Sequence, residues 1–100
     1  MANNPCPFCE FDRCTELFYY DRWKNIIICR DPYDLFKFRF LAVRTGQENH
    51  KVLPTFEERE DLLVPLIAVA EAHKKNGQIT GYDIDEIVNS DHYHYYANIT

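Results

Sequence analysis

The tightest constraint on how this chain can fold comes from chemistry placed near its two ends. Cys6 and Cys9, in Pro5-Cys6-Pro7-Phe8-Cys9, put two thiols on one side of a short loop. That spacing suits two corners of a tetrahedral zinc site. Histidine is scarce: the 4 residues are His50, His73, His92 and His94. The set that this placement favours is Cys6, Cys9, His50 and His92, with His94 left over for chemistry. If those four side chains share one ion, the N-terminal loop must fold back onto the last strand. The middle of the chain must then bring His50 to the same point.

Two other arrangements of the cysteines stay open. Cys14 can share a loop with Cys6 and Cys9, and Cys29 can complete an all-cysteine site. Cys29 also reads as a buried structural cysteine at the end of an apolar run. A redox role for Cys6 and Cys9 would call for a strand before the motif and a helix after it. The extreme N-terminal position makes that the weaker reading.

Compartment bears on the same question. Met1-Ala2-Asn3-Asn4 has neither the basic start nor the apolar segment of a signal peptide. No stretch reaches the roughly 20 apolar residues of a membrane helix. The expected location is the cytoplasm, where thiols stay reduced and four cysteines favour metal binding or free thiols over disulfides. The formal net charge of −5 argues against general binding to nucleic acid or to an anionic membrane. A nucleotide can still bind in a local pocket through backbone N–H groups.

One hundred residues suggest a single domain spanning 1–100. Leu17 to Tyr20 and the β-branched run Ile26-Ile27-Ile28-Cys29 read as a hairpin, with a turn around Asp21, Arg22 and Asn25. Asp31-Pro32-Tyr33-Asp34 ends the second strand. Phe36, Phe38 and Phe40 alternate with Lys37 and Arg39, which predicts a strand from Phe36 to Val43 with one aromatic face. Thr45 to Asn49 is a loop leading to His50.

Thr55-Phe56-Glu57-Glu58 is a capping box that opens a helix. Leu62, Leu66, Val69, Ala70 and His73 recur at helical spacing, and Gly77 is a natural stop. Pro65 inside this span is expected to kink or split the helix. His73 reads as a surface partner of the helix C-terminus without a site role. Residues 79–88 fit either a strand or a short helix. His92 to Ile99 reads as a final strand, with His92, His94 and Tyr96 on one face and Tyr93, Tyr95 and Ala97 on the other. The fold class expected is α+β: an antiparallel sheet of four to five strands with one principal helix packed on it.

Taken together, these stretches resemble the histidine triad (HIT) superfamily, above all its zinc-bearing branch, which includes galactose-1-phosphate uridylyltransferases. Cys6-Pro7-Phe8-Cys9 resembles the zinc loop of that branch. Phe18-Tyr19-Tyr20-Asp21 through Asp31-Pro32 resembles the opening hairpin and its acidic turn. Phe40-Leu41-Ala42-Val43 followed by His50 resembles the family's strand and loop histidine. His92-Tyr93-His94-Tyr95-Tyr96 resembles the closing His-x-His-x-His strand, with Tyr96 where the third histidine would stand.

The resemblance implies a structural zinc ion held by Cys6, Cys9, His50 and His92. It implies His94 as a nucleophile toward an α-phosphate, and a substrate-binding role for Asp31, against a ribose hydroxyl, and for Tyr96. The activity implied is that of a nucleotide hydrolase or nucleotidyltransferase acting on a nucleoside phosphate ester or phosphoramidate. A homodimer formed through the sheet is implied in the same way. A second expectation is a zinc-stabilised domain that has lost catalysis and binds a protein partner, with Tyr93, Tyr95 and Tyr96 as interface anchors. A third is an unrelated small α+β protein with a zinc loop.

Overall fold

The computed structural model describes residues 6–11, 13–34, 36–88 and 91–100. The tetrapeptide read for targeting lies outside them. Five strands form one antiparallel sheet: β1 (Leu17–Asp21), β2 (Ile26–Arg30), β3 (Arg39–Arg44), β4 (Tyr82–Ile87) and β5 (His94–Ile99). Their spatial order is β1-β2-β3-β5-β4. One helix, α1 (Phe56–Lys75), joins β3 to β4, so the last strand returns to the middle of the sheet between them. This is the α+β architecture expected from the sequence.

The β1–β2 turn is set by side-chain chemistry. Asp21 Oδ1 accepts from the Trp23 and Lys24 amides, and Asn25 takes φ 57, a left-handed conformation that Asn tolerates. A bulge between Leu17 and Tyr19 shifts the β1 register, so Tyr19 pairs with Ile28 and Leu17 with Cys29.

Helix α1 begins with the full capping box. The Glu58 amide donates to Thr55 Oγ1 at 3.2 Å, and the Thr55 amide donates to Glu58 Oε1 at 2.8 Å. It ends in a Schellman arrangement: Gln78 N–H donates to the His73 carbonyl, Gly77 N–H to that of Lys74, and Gly77 has φ 77. Pro65 does not split it; the helix runs unbroken for 20 residues. Proline removes one amide donor, and packing of Leu62, Leu66 and Ala70 on the sheet holds both halves in line.

The sheet has two covered faces. Ile26, Ile28, Phe40, Ala42, Tyr93, Tyr95 and Ala97 pack with Leu62, Leu66 and Ala70 of the helix. The other face carries Cys29, Leu41, Val43 and Tyr96, covered by Phe8 with Cys6, Phe11 and Cys14 of the N-terminal loop. Strand β5 is buried from both sides, which explains its dense aromatic content.

Several expectations change. Strand β3 starts at Arg39, not Phe36, and Phe36 is fully exposed. Only Phe38 and Phe40 of the aromatic series meet, edge to face at 5.4 Å. The ambiguous 79–88 segment is strand β4, with Tyr82 and Ile84 packed toward the helix. His73 is half-buried, meeting Phe18 edge-on at 4.9 Å and Phe40 at a tilt at 4.8 Å, with its Nδ1–H donating to the Val69 carbonyl. Tyr93, Tyr95 and Tyr96 are buried, so they are not available as interface anchors.

Because α1 buries its stripe against the centre of the sheet, Leu66→Ala should lower unfolding free energy by about 2–5 kcal/mol. Thr55→Ala should cost about 1 kcal/mol by removing the cap. Urea unfolding followed by circular dichroism measures both.

Candidate metal centre and the histidine beside it

The N-terminal loop is fixed by backbone bonds before any side chain is considered. Cys9 N–H donates to the Cys6 carbonyl at 3.1 Å, closing the Cys-x-x-Cys turn. Gly46 N–H donates to the Cys9 carbonyl at 3.0 Å, tying this turn to the loop that carries His50. Gly46 has φ 107, a backbone conformation strained for other residues, so glycine is what lets the amide point there. Past it, a single 3-10 turn (Gln47–Asn49) delivers His50, with buried Asn49 donating to the Thr45 carbonyl. Tyr93 N–H donates to the Lys51 carbonyl at 2.9 Å, which docks this loop on the approach to β5.

These bonds bring Cys6, Cys9, His50 and His92 together, with one ligand atom from each lying within 4.8 Å of all the others. His92 Nε2 lies 2.8 Å from the Arg44 carbonyl. A carbonyl only accepts, so the Nε2 hydrogen is donated there and Nδ1 keeps its lone pair. That lone pair faces Cys6 Sγ and Cys9 Sγ, each at 3.6 Å, and His50 Nδ1 lies 3.4 Å from Cys9 Sγ. A tetrahedral zinc ion with Zn–S of about 2.3 Å and Zn–N of about 2.0–2.1 Å has S···N edges of about 3.6 Å. The cluster therefore has the donors and dimensions to hold a metal ion, and they are compatible with a closed structural zinc site.

The electrostatics fit a cation at the centre. Burial, with the Cys6 thiol beside it, pushes the Cys9 thiol up to about 11. A bound cation reverses that preference by taking the thiolate. Burial holds His92 below the ordinary histidine range, in the neutral form that a metal needs. His50 is the exposed member of the set and His92 the buried one.

Cys14 and Cys29 stay out of this cluster. Cys29 is fully buried, and burial followed by the neighbouring Cys14 thiol raises its pKa well above the usual thiol value. The arrangement is the two-cysteine, two-histidine one, and the all-cysteine alternative is not what the chain assembles.

His94 stands next along the chain on the same face. Its Nδ1 lies 2.9 Å from the His92 carbonyl, so Nδ1–H is donated and Nε2 carries the lone pair. His92 thus turns its ring to the cluster and its carbonyl to His94. Phe8, held between Cys6 and Cys9, lies over His94 with centroids 4.4 Å apart, and Tyr96 meets it edge-on at 5.3 Å. His94 is 6% exposed, and burial holds it below the ordinary histidine range.

Asp31 is fully buried at the end of β2. Its carboxylate accepts from the Arg39 Nε–H at 2.5 Å and from the Tyr33 amide at 3.0 Å. Arg39 in turn lays its guanidinium over the Tyr96 ring, 3.9 Å from the centroid. Asp31 and Tyr96, both singled out in the sequence, are linked through Arg39 beside His94. Arg39 itself was hidden, because alternation with Phe38 and Phe40 marked it only as the polar side of a strand.

A separate groove of about 420 Å³ lies on the helix-covered side, lined by Tyr19, Asp21, Lys24, Glu60, Asp61 and Val64 among others. His94 does not line it, and Lys24 is already paired with Asp61 at 3.1 Å. Chemistry favours the His94 side over this groove. Among the described residues, no helix is long and apolar enough to cross a membrane.

Comparison with family models, curated proteins and solved structures gives no match.

Metal analysis of the purified protein should find one ion per chain. His50→Ala should lose most of it and Cys14→Ala should keep it; the opposite pattern refutes the two-histidine site. A second expectation concerns pH. His92 and His94 are both held below the usual histidine pKa, so the unfolded chain binds more protons than the folded one in that window. Stability should be fully present above about pH 6.5 and fall as pH drops below it. The urea midpoint, measured from pH 7.5 to 5.5, gives the sign.

Proposed function

We propose that this chain is a zinc-clamped, HIT-like domain in which His94 acts as a nucleophile on a nucleoside phosphate ester or phosphoramidate. The observation that carries the reading is the His94 Nδ1–H bond to the His92 carbonyl, which leaves Nε2 as an unprotonated nucleophile. The neighbouring Cys6, Cys9, His50 and His92 cluster supports it, because a closed structural zinc there would fix the backbone that orients His94. The order of sheet, helix and final histidine-bearing strand agrees with the resemblance seen in the sequence.

In this mechanism Nε2 attacks the α-phosphorus, a P–N bond forms, and the bond from phosphorus to the leaving group breaks. The leaving group takes a proton from solvent. Water, or an acceptor alcohol, then attacks phosphorus, the P–N bond breaks, and the pair returns to Nε2. Two displacements replace one difficult step. Burial keeps His94 neutral, and therefore nucleophilic, at neutral pH. Tyr96 packs edge-on against the ring and limits its rotation. Asp31 is fully buried and accepts from Arg39 and the Tyr33 amide, so in this reading it serves the site through those partners.

One observation favours a second reading. Phe8 covers the ring of His94, and a plugged histidine suits a zinc-stabilised domain that binds a partner without turnover. The two readings differ in one measurement. Under the first, incubation with a nucleoside phosphoramidate radiolabelled at the α-phosphate labels the protein, and His94→Gln abolishes labelling and cuts turnover by at least about a hundredfold. The variant should still retain its metal. Under the second, neither protein is labelled.

A further inference from the structure

The Asp31–Arg39–Tyr96 chain beside His94 has one feature that a plain structural ion pair does not require. Asp31 engages Arg39 through Nε, from one side of the guanidinium. An arginine carries five N–H donors in a fixed fork, so this single bond leaves the Nη edge unspent on Asp31. The guanidinium carbon lies over the Tyr96 ring, 3.9 Å from its centroid, so the ring bounds the head on that side. Asp31 is itself immobile: it is fully buried, accepts from the Tyr33 amide, and its own amide donates to the Arg39 carbonyl at 2.9 Å. Tyr96, under the guanidinium, also touches His94 edge-on. The Arg39 side chain is about one-fifth exposed, so its head is not sealed in the core.

We infer that Arg39 is the anion-binding residue of the His94 site, presenting its Nη edge to the phosphoryl oxygens of a phosphate-ester ligand. This rests on the reading that His94 faces the substrate. The physical logic is preorganisation. A guanidinium already desolvated, bounded by a ring and anchored at one nitrogen loses little further freedom when it grips an oxyanion. Asp31 sets its orientation, and Tyr96 serves as a shared platform that keeps cation and imidazole side by side. A phosphoryl group held there would have its negative charge met by Arg39, leaving the phosphorus open to attack from His94. The ligand class that follows is a monoanionic or dianionic phosphate ester, discriminated from its uncharged alcohol.

Arg39→Gln leaves Asp31 buried without its partner and can fail to fold. The test therefore uses Arg39→Lys, which keeps the charge and loses the fork, and the double variant Asp31→Asn with Arg39→Gln, which removes both charges together. Calorimetric titration of the metal-loaded proteins with AMP and UMP, and with adenosine and uridine as uncharged controls, gives the readout. The expected result is that both variants bind the monophosphates about tenfold or more weaker, the change a charged hydrogen bond carries, while any nucleoside affinity is unchanged. Equal weakening for nucleotide and nucleoside indicates a collapsed cleft and overturns the inference. So does monophosphate affinity as in the wild type, or a wild-type protein that binds neither monophosphate. If the wild type binds AMP or UMP in an Arg39-dependent way but is never covalently labelled, the anion site stands and the nucleophile reading of His94 falls. If His94→Gln abolishes labelling while the Arg39 variants bind normally, the reverse holds.

Discussion

Everything around the candidate site is built outward from the bond between His92 Nε2–H and the Arg44 carbonyl. That bond fixes the tautomer, and the tautomer decides that Nδ1 is the atom facing the two thiols. The same residue fixes its neighbour, since the His92 carbonyl accepts from His94 Nδ1 and leaves Nε2 of that ring with its lone pair. The acceptor, Arg44, ends strand β3, and β3 lies between β2 and β5 in the sheet. Sheet pairing, the cysteine–histidine cluster and the second histidine are therefore one connected arrangement. A disturbance of the β3–β5 register would move all three at once.

The two faces of the sheet divide the labour. One is an apolar core against α1, where burial of Leu62, Leu66, Phe40 and Tyr95 supplies most of the driving force for folding. The other is covered by a short loop with few apolar side chains, and there the cysteine–histidine cluster and the Asp31–Arg39 pair supply the order that packing alone would not. A chain of this length has little core to spare. Placing polar chemistry on the loop-covered face buries Asp31, His92 and His94 without opening the main core.

Local signals in the sequence carried much of this. The capping box and Gly77 bounded α1, because capping is decided within a few residues. Alternation of His92, His94 and Tyr96 against Tyr93, Tyr95 and Ala97 was visible because a strand has period two. The meeting of Cys6, Cys9, His50 and His92 in one cluster that could hold a metal ion was legible from residue type and scarcity. What was not legible depends on contacts across the sheet. The continuity of α1 through Pro65 comes from packing, not propensity. The start of β3 at Arg39 depends on where β2 and β5 offer partners. The bulge at Leu17 shows only in its pairing with β2. Arg39 gained its place from a carboxylate eight residues back and a ring on another strand, which no local pattern records.

Cys6 and His92 lie 86 residues apart in sequence and 3.6 Å apart in space. An ion bound between them would act as a cross-link around nearly the whole described chain, of the kind that restricts an unfolded polymer most because the loop it closes is long. Early in folding such an ion would meet only the Cys-x-x-Cys half of its cage, since the other half exists only once β3 has paired with β5. Full coordination would then come last and report that the sheet is complete.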